Sequence, residues 1–217
     1  MATPICRANR LLRIGSVMTR ARSRSMSLCM LLPLMALSAC SKTVQWEEEV
    51  PLNTGEVIWV KRSVDYVLKG AGGNPLDIAY RPEWVEKLEF EWSGKKYVYD
   101  GDANVILLAI SPQKQPVLVA RASDKNWEMK HKYQCSTTSY VQLIPDTKGR
   151  TWTWPAGIET WLYGLPANLM LERKKPAEMK KRYLAQERKT EDAGVSSSLA
   201  RIDPLFTFTE DCKGLKS

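Results

Sequence analysis

The chain holds one histidine, His131, and that count removes several chemistries. An HExxH zinc motif is excluded, as is any metal site built on several histidines. His131 and Cys135 lie four residues apart and could offer two ligands from one helix face, too few to hold a metal. No GxSxG elbow occurs, so the histidine has no serine nucleophile to serve. Gly70-Ala71-Gly72-Gly73 runs into Asn74-Pro75 with no GK[ST], so it reads as a loop and not as a phosphate cradle at a helix start. Carboxylate pairs remain: Asp100 and Asp102 around Gly101, and Glu89 and Glu91 on one strand face. Two carboxyls about 5–9.5 Å apart across a cleft can hydrolyse a glycoside, and two residues along a strand span about 7 Å. These pairs fit a turn and a solvated face better. The expectation is no catalytic set, no metal and no cofactor.

Aromatic side chains are the other candidates. In an extended segment Trp152 and Trp154 share a face, roughly 7 Å apart, with Thr151 and Thr153 opposite. As an open strip the two indoles would stack on a glycan. The favoured alternative packs both under the apolar segment that follows, through Ile158, Trp161, Leu162 and Leu165. Trp154→Ala would then cost about 3–5 kcal/mol.

The elements that must position these residues read as strands first and a helix last. Residues 56–68 are rich in β-branched and aromatic types. Leu88, Phe90 and Trp92 alternate with Glu89 and Glu91, Ser93-Gly94 fits a hairpin turn, and Lys95 to Tyr99 runs back. Val105 to Ile110 is a continuous apolar run that suits a central strand, with Val117 to Ala120 returning beside it. Ser139 to Ile144 and Thr151 to Trp154 continue the pattern, and Leu205 to Thr209 suits a last strand. Between them, Ile158 to Leu171 is broken by Gly164 and Pro166 into turns or short helices. Pro176 to Thr190 predicts a helix with a thin apolar stripe, Met179, Tyr183 and Leu184. The fold class is β-rich, mainly antiparallel, sandwich- or barrel-like, with a C-terminal helix; α+β is the alternative.

The N-terminus says where the chain goes. Leu28 to Leu37 is a ten-residue apolar run, shorter than the roughly 20 residues of a membrane-spanning helix. Arg20, Arg22 and Arg24 precede it, and Ser38 and Ala39 follow, the layout of a secretory signal. Leu37-Ser38-Ala39-Cys40 resembles the lipobox of bacterial lipoproteins. The resemblance implies cleavage before Cys40, a diacylglycerol on its thiol and usually an acyl chain on its new amine. Ser41, in place of the Asp that retains such proteins at the inner membrane, implies the outer membrane and a periplasm-facing domain. Met18 to Cys40 spans 23 residues, an ordinary length for such a signal, so translation is expected to start at Met18.

The charge agrees. The net charge is +8, and Arg7, Arg10, Arg13, Arg20, Arg22 and Arg24 supply six of it from a stretch without acids. The remainder, near neutrality, has no footprint for nucleic acid. With Cys40 spent on lipid and Cys6 and Cys29 removed, Cys135 and Cys212 remain as a disulfide pair for an oxidising compartment. The expected organisation is a signal peptide over 1–39, a lipidated N-terminus and polar tether over 40–54 with the Glu47-Glu48-Glu49 run solvated, and one β-rich domain over 55–217. The expected function is a non-catalytic envelope component that binds or helps assemble another protein. A glycan- or peptidoglycan-binding module is the alternative, and an acid-based hydrolase comes last.

Overall fold

Period-two alternation sets the first sheet. A computed structural model describes residues 41–71, 74–121, 140–155, 157–171, 174–191 and 201–205. Ser41–Pro51 (β1), Val57–Ala71 (β2), Asn74–Trp92 (β3) and Lys95–Gly101 (β4) pair antiparallel in sequence, and the short Arg182–Tyr183 (β9) adds to β1 in parallel. Val44, Trp46, Val50, Val60, Val64, Tyr66, Leu88, Phe90, Tyr97 and Tyr99 are buried along one face. Ser93 and Gly94, at φ 51° and 71°, make the β3–β4 turn that the sequence predicts, a left-handed pair suited to the strand twist.

The second sheet is Asn104–Ile110 (β5), Pro116–Arg121 (β6), Tyr140–Pro145 (β7) and Trp152–Thr153 (β8), antiparallel throughout. Its inner side chains meet those of the first sheet in one core that includes Val60, Leu88, Phe90, Leu108, Leu118 and Leu143. The outer face, with Ile106, Leu107 and Val119, is covered by the turns and 3-10 helix of residues 158–171 and by Ile202. The fold is therefore a β-rich sandwich buried on both faces of its second sheet.

Both open sides of the sandwich are stitched. The outer edge of β4 receives Gly149, whose carbonyl accepts from Val98 N at 2.8 Å, and Trp152, whose indole N–H donates to Val98 O at 2.7 Å. Strand β5 is an edge, not a central strand, although every residue from Val105 to Ile110 is buried. Side chains stand in for the missing neighbour. Asn168 bonds both Leu108 N and Leu108 O (2.8 and 2.7 Å), Asn53 does the same at Ile110 (2.8 and 2.9 Å), and Glu86 accepts from Val105 N at 2.7 Å. A carboxamide carries one donor and one acceptor side by side, as a strand residue does, so buried backbone groups stay paired.

Three expectations are corrected here. Residues 41–51 are a strand of the sheet and not a tether, because Val44, Trp46 and Val50 keep the apolar alternation. The Glu47-Glu48-Glu49 run is not uniformly solvated: Glu48 points inward and is fully buried. The helix begins at Ala185 and not at Pro176, and is described over Ala185–Glu191 (α1). Glu47 N bonds Lys181 O at 2.9 Å, and Tyr183 is buried against the first sheet, so residues 181–183 are drawn into β9.

Candidate binding site

The inner face of the first sheet is divided by a row of buried charge. Arg62 on β2 donates to Glu48 on β1 at 3.0 Å and to Glu86 on β3 at 2.7 Å, all fully buried. Arg188 of α1 approaches Glu48 at 3.4 Å, so two cations face two anions. The row also serves backbone groups beyond the end of the second sheet. Glu48 accepts from Met170 N at 2.9 Å, Arg62 donates to Met170 O at 3.0 Å, and Arg188 donates to Asn168 O and, at 3.2 Å, to Glu49 O. Burial alone would make Arg62 easier to deprotonate; the charges and hydrogen bonds of Glu86 and Glu48 outweigh it and hold its pKa above the ordinary arginine value. Every ion here is committed to the fold, and none is placed to meet a ligand.

Beyond that row the sheet turns to a different use. Val44, Trp46, Val64 and Tyr66 form a separate apolar cluster with Met170 and Tyr183. The β2–β3 hairpin continues past it, and the segment 174–177 packs alongside. Between them lies a pocket of about 500 Å³. Its walls are Tyr66, Tyr80, Pro82 and Pro176, and its cations are Lys42, Arg81, Lys174 and Lys175; among the described residues lining it none is acidic. The Tyr66 hydroxyl donates to Lys174 O at 2.8 Å and ties the wall to that segment. Apolar walls with several cations suit a molecule that has an anionic head and an apolar body.

A second, smaller hollow of about 350 Å³ lies on the outer face, lined by Lys87, Glu89, Lys96, Val98, Lys148 and Arg150. Here one acid, Glu89, stands among four cations and pairs with two of them. Lys87 and Lys96 each reach it at 2.7 Å, and these hydrogen bonds, Lys87 first, lower its carboxyl to about 2. A carboxyl so ionised cannot donate a proton near neutrality. Glu91 and Asp100 are exposed.

The residues singled out by the sequence are dispersed. Cys40, His131, Cys135 and Cys212, and hence the lipidation site and the disulfide, lie outside the described residues, as does all but Leu205 of the last predicted strand. Trp152 and Trp154 form no strip. Trp152 is buried in the inter-sheet core, edge-on to Tyr99 at 6.0 Å. The segment 158–171 covers the opposite face of the second sheet, so it does not bury Trp152 as expected. Trp154 lies past the end of β8 and is 38% exposed. Among the described residues no three His, Cys, Asp or Glu side chains gather as metal ligands would.

The pocket cations were not foreseeable as a set. Lys174-Lys175-Pro176 stands out as a basic run in the sequence, but no spacing links it to Lys42 or Arg81. Comparison with protein-family models, curated proteins and solved structures gives no match to the chain.

Proposed function

We propose that the protein is a lipid-anchored component of a bacterial cell envelope, held by acyl chains on Cys40 in the outer membrane, with a non-catalytic domain that binds another envelope protein. One observation carries the anchor. Leu37-Ser38-Ala39-Cys40 sets small residues before a cysteine, directly after the ten-residue apolar run Leu28 to Leu37 and the basic Arg20, Arg22 and Arg24, the layout of a lipoprotein signal. Two or three acyl chains hold a protein on a bilayer stably, whereas one is marginal.

Support for a protein partner comes from the outward face of the first sheet. Val57, Trp59 and Val85 are 55%, 40% and 52% exposed there, among the ion pairs Arg182–Glu47 and Lys87–Glu89. Interfaces are enriched in aromatic residues such as Trp59 relative to the rest of a protein surface. Of its two named stacking residues, the glycan alternative loses Trp152 and keeps Trp154. Cys135 and Cys212 remain the proposed disulfide pair. Labelling with a palmitate analogue, followed by fractionation, tests the anchor: wild type should carry label in the outer membrane, and Cys40→Ser should carry none. Crosslinking in intact envelope should join the domain to a protein, with loss of the adduct in Val57→Asp; adducts to muropeptides would transfer the function to the glycan alternative.

A further inference from the structure

Strand β1 begins at Ser41, opposite Val67 of β2. The β2–β3 hairpin runs on, with residues 68–71 beyond that point. At a rise of about 3.3 Å per residue the overhang is roughly 13 Å. The hairpin carries Leu68, 46% exposed, and Ile78, 61% exposed. Leu68 pairs with Tyr80 and Gly70 with Ile78, so these side chains share the face that holds Tyr66 and the pocket.

The anchor is adjacent. Two peptide steps of about 3.8 Å keep the Cα of Cys40 within about 7.6 Å of that of Lys42, a pocket cation. No spacer intervenes, since β1 starts at Ser41. Chains rooted on Cys40 thus enter a bilayer beside the pocket and the overhang. The headgroup layer on each side of a bilayer is about 5–8 Å thick, less than the overhang. Of the acids near this end, Glu83 pairs with Lys69 at 2.7 Å and Asp65 accepts from Thr43 at 2.5 Å, while the exposed Glu178 stays 3.9 Å from Lys175.

We propose that the pocket between the hairpin and residues 174–177 takes the phosphate headgroup of a phospholipid from the anchoring membrane, with Leu68 and Ile78 seated in the headgroup layer. Lys42, Lys174 and Lys175 face the phosphodiester, and Tyr66, Tyr80 and the prolines pack on the glycerol and upper acyl carbons. The inference rests on the anchor at Cys40 and extends it from a tether to a fixed orientation.

The test uses the full lipidated protein in vesicles of phosphatidylcholine, with and without phosphatidylglycerol, doped with a phospholipid carrying a photoactivatable group near its headgroup. Adducts should map to residues 66–82 and 174–177 and increase with phosphatidylglycerol. Lys175→Gln, which removes one charge, should lower them roughly fivefold; that side chain is 81% exposed, so the change probes charge and not folding. Leu68→Asp should lower them too. Excess inorganic phosphate should leave them unchanged, and their loss in phosphate would assign the site to a free anion and overturn the proposal. A digest with lipid on Cys40 and no adduct in either segment also overturns it while the anchor stands. A digest without lipid on Cys40 refutes the anchor, and adducts to both segments in that sample would still support the pocket.

Discussion

The two sheets bury their strands by opposite means. The second sheet is apolar on both faces from Val105 to Ile110 and from Val117 to Ala120, and it needs polar help only at its β5 edge, from Asn53, Asn168 and Glu86. The first sheet interrupts its inner face with Glu48, Arg62 and Glu86. On one side of that row it closes the common core; on the other it projects a hairpin and a basic pocket. The charge row lets one sheet do both. It satisfies the backbone of residues 168–170 where the second sheet stops, so the first can continue without a facing partner.

The sharpest way to break this comparison is to remove Arg62. Arg62→Met leaves Glu48 and Glu86 buried and opposed by Arg188 alone, and should cost about 3–5 kcal/mol. Replacing Glu48, Arg62 and Glu86 together by apolar residues should cost less than the single change, as urea titration would show. The corresponding change in the second sheet is Asn168→Leu. It strips partners from Leu108 N and Leu108 O, at about 1–3 kcal/mol for each group left unpaired. Over the two groups the loss is about 2–6 kcal/mol, comparable with Arg62→Met, as thermal unfolding would show.

The tryptophans sharpen the contrast between stitched and open surface. Trp152→Ala should lose about 3–5 kcal/mol, because it empties part of the core and frees Val98 O. Trp154→Ala should change stability by less than about 1 kcal/mol. Equal losses would mean that Trp154 is as buried as Trp152.

A smaller effect concerns pH. Glu89 has its carboxyl lowered from 4.5 to about 2. Between those values the unfolded chain binds the extra proton, so stability rises with pH; the contribution is complete above about 4.5 and lost as pH falls through 2. Carboxyl-carbon NMR should find Glu89 titrating near 2, and Lys87→Met together with Lys96→Met should return it toward 4.5.

Much of the scaffold was legible because it obeys simple periods. Leu88, Phe90 and Trp92, the Ser93-Gly94 turn, and the runs at Val105 and Val117 declared their hairpins. Strand β1 was missed because Glu48 occupies the slot where alternation calls for an apolar residue, and its partners Arg62 and Arg188 lie far away in sequence. Helix-forming types over 176–190 suggested one long helix, but the burial of Tyr183 against β1 outweighed local propensity. Asn53 and Asn168 gave no sign of their edge role, since polar residues in turns look alike until the strand they serve is in place. The pocket was illegible for a similar reason: Lys42, Arg81 and Lys174 come together only through pairing of strands.

The central claim is that acyl chains on Cys40 anchor the domain. Mass spectrometry of the N-terminal peptide from the mature protein, extracted from membranes, tests it most directly. The predicted result is a chain that begins at Cys40 and carries a thioether-linked diacylglycerol. A mature chain with an unmodified Cys40, or one that begins elsewhere, would contradict it.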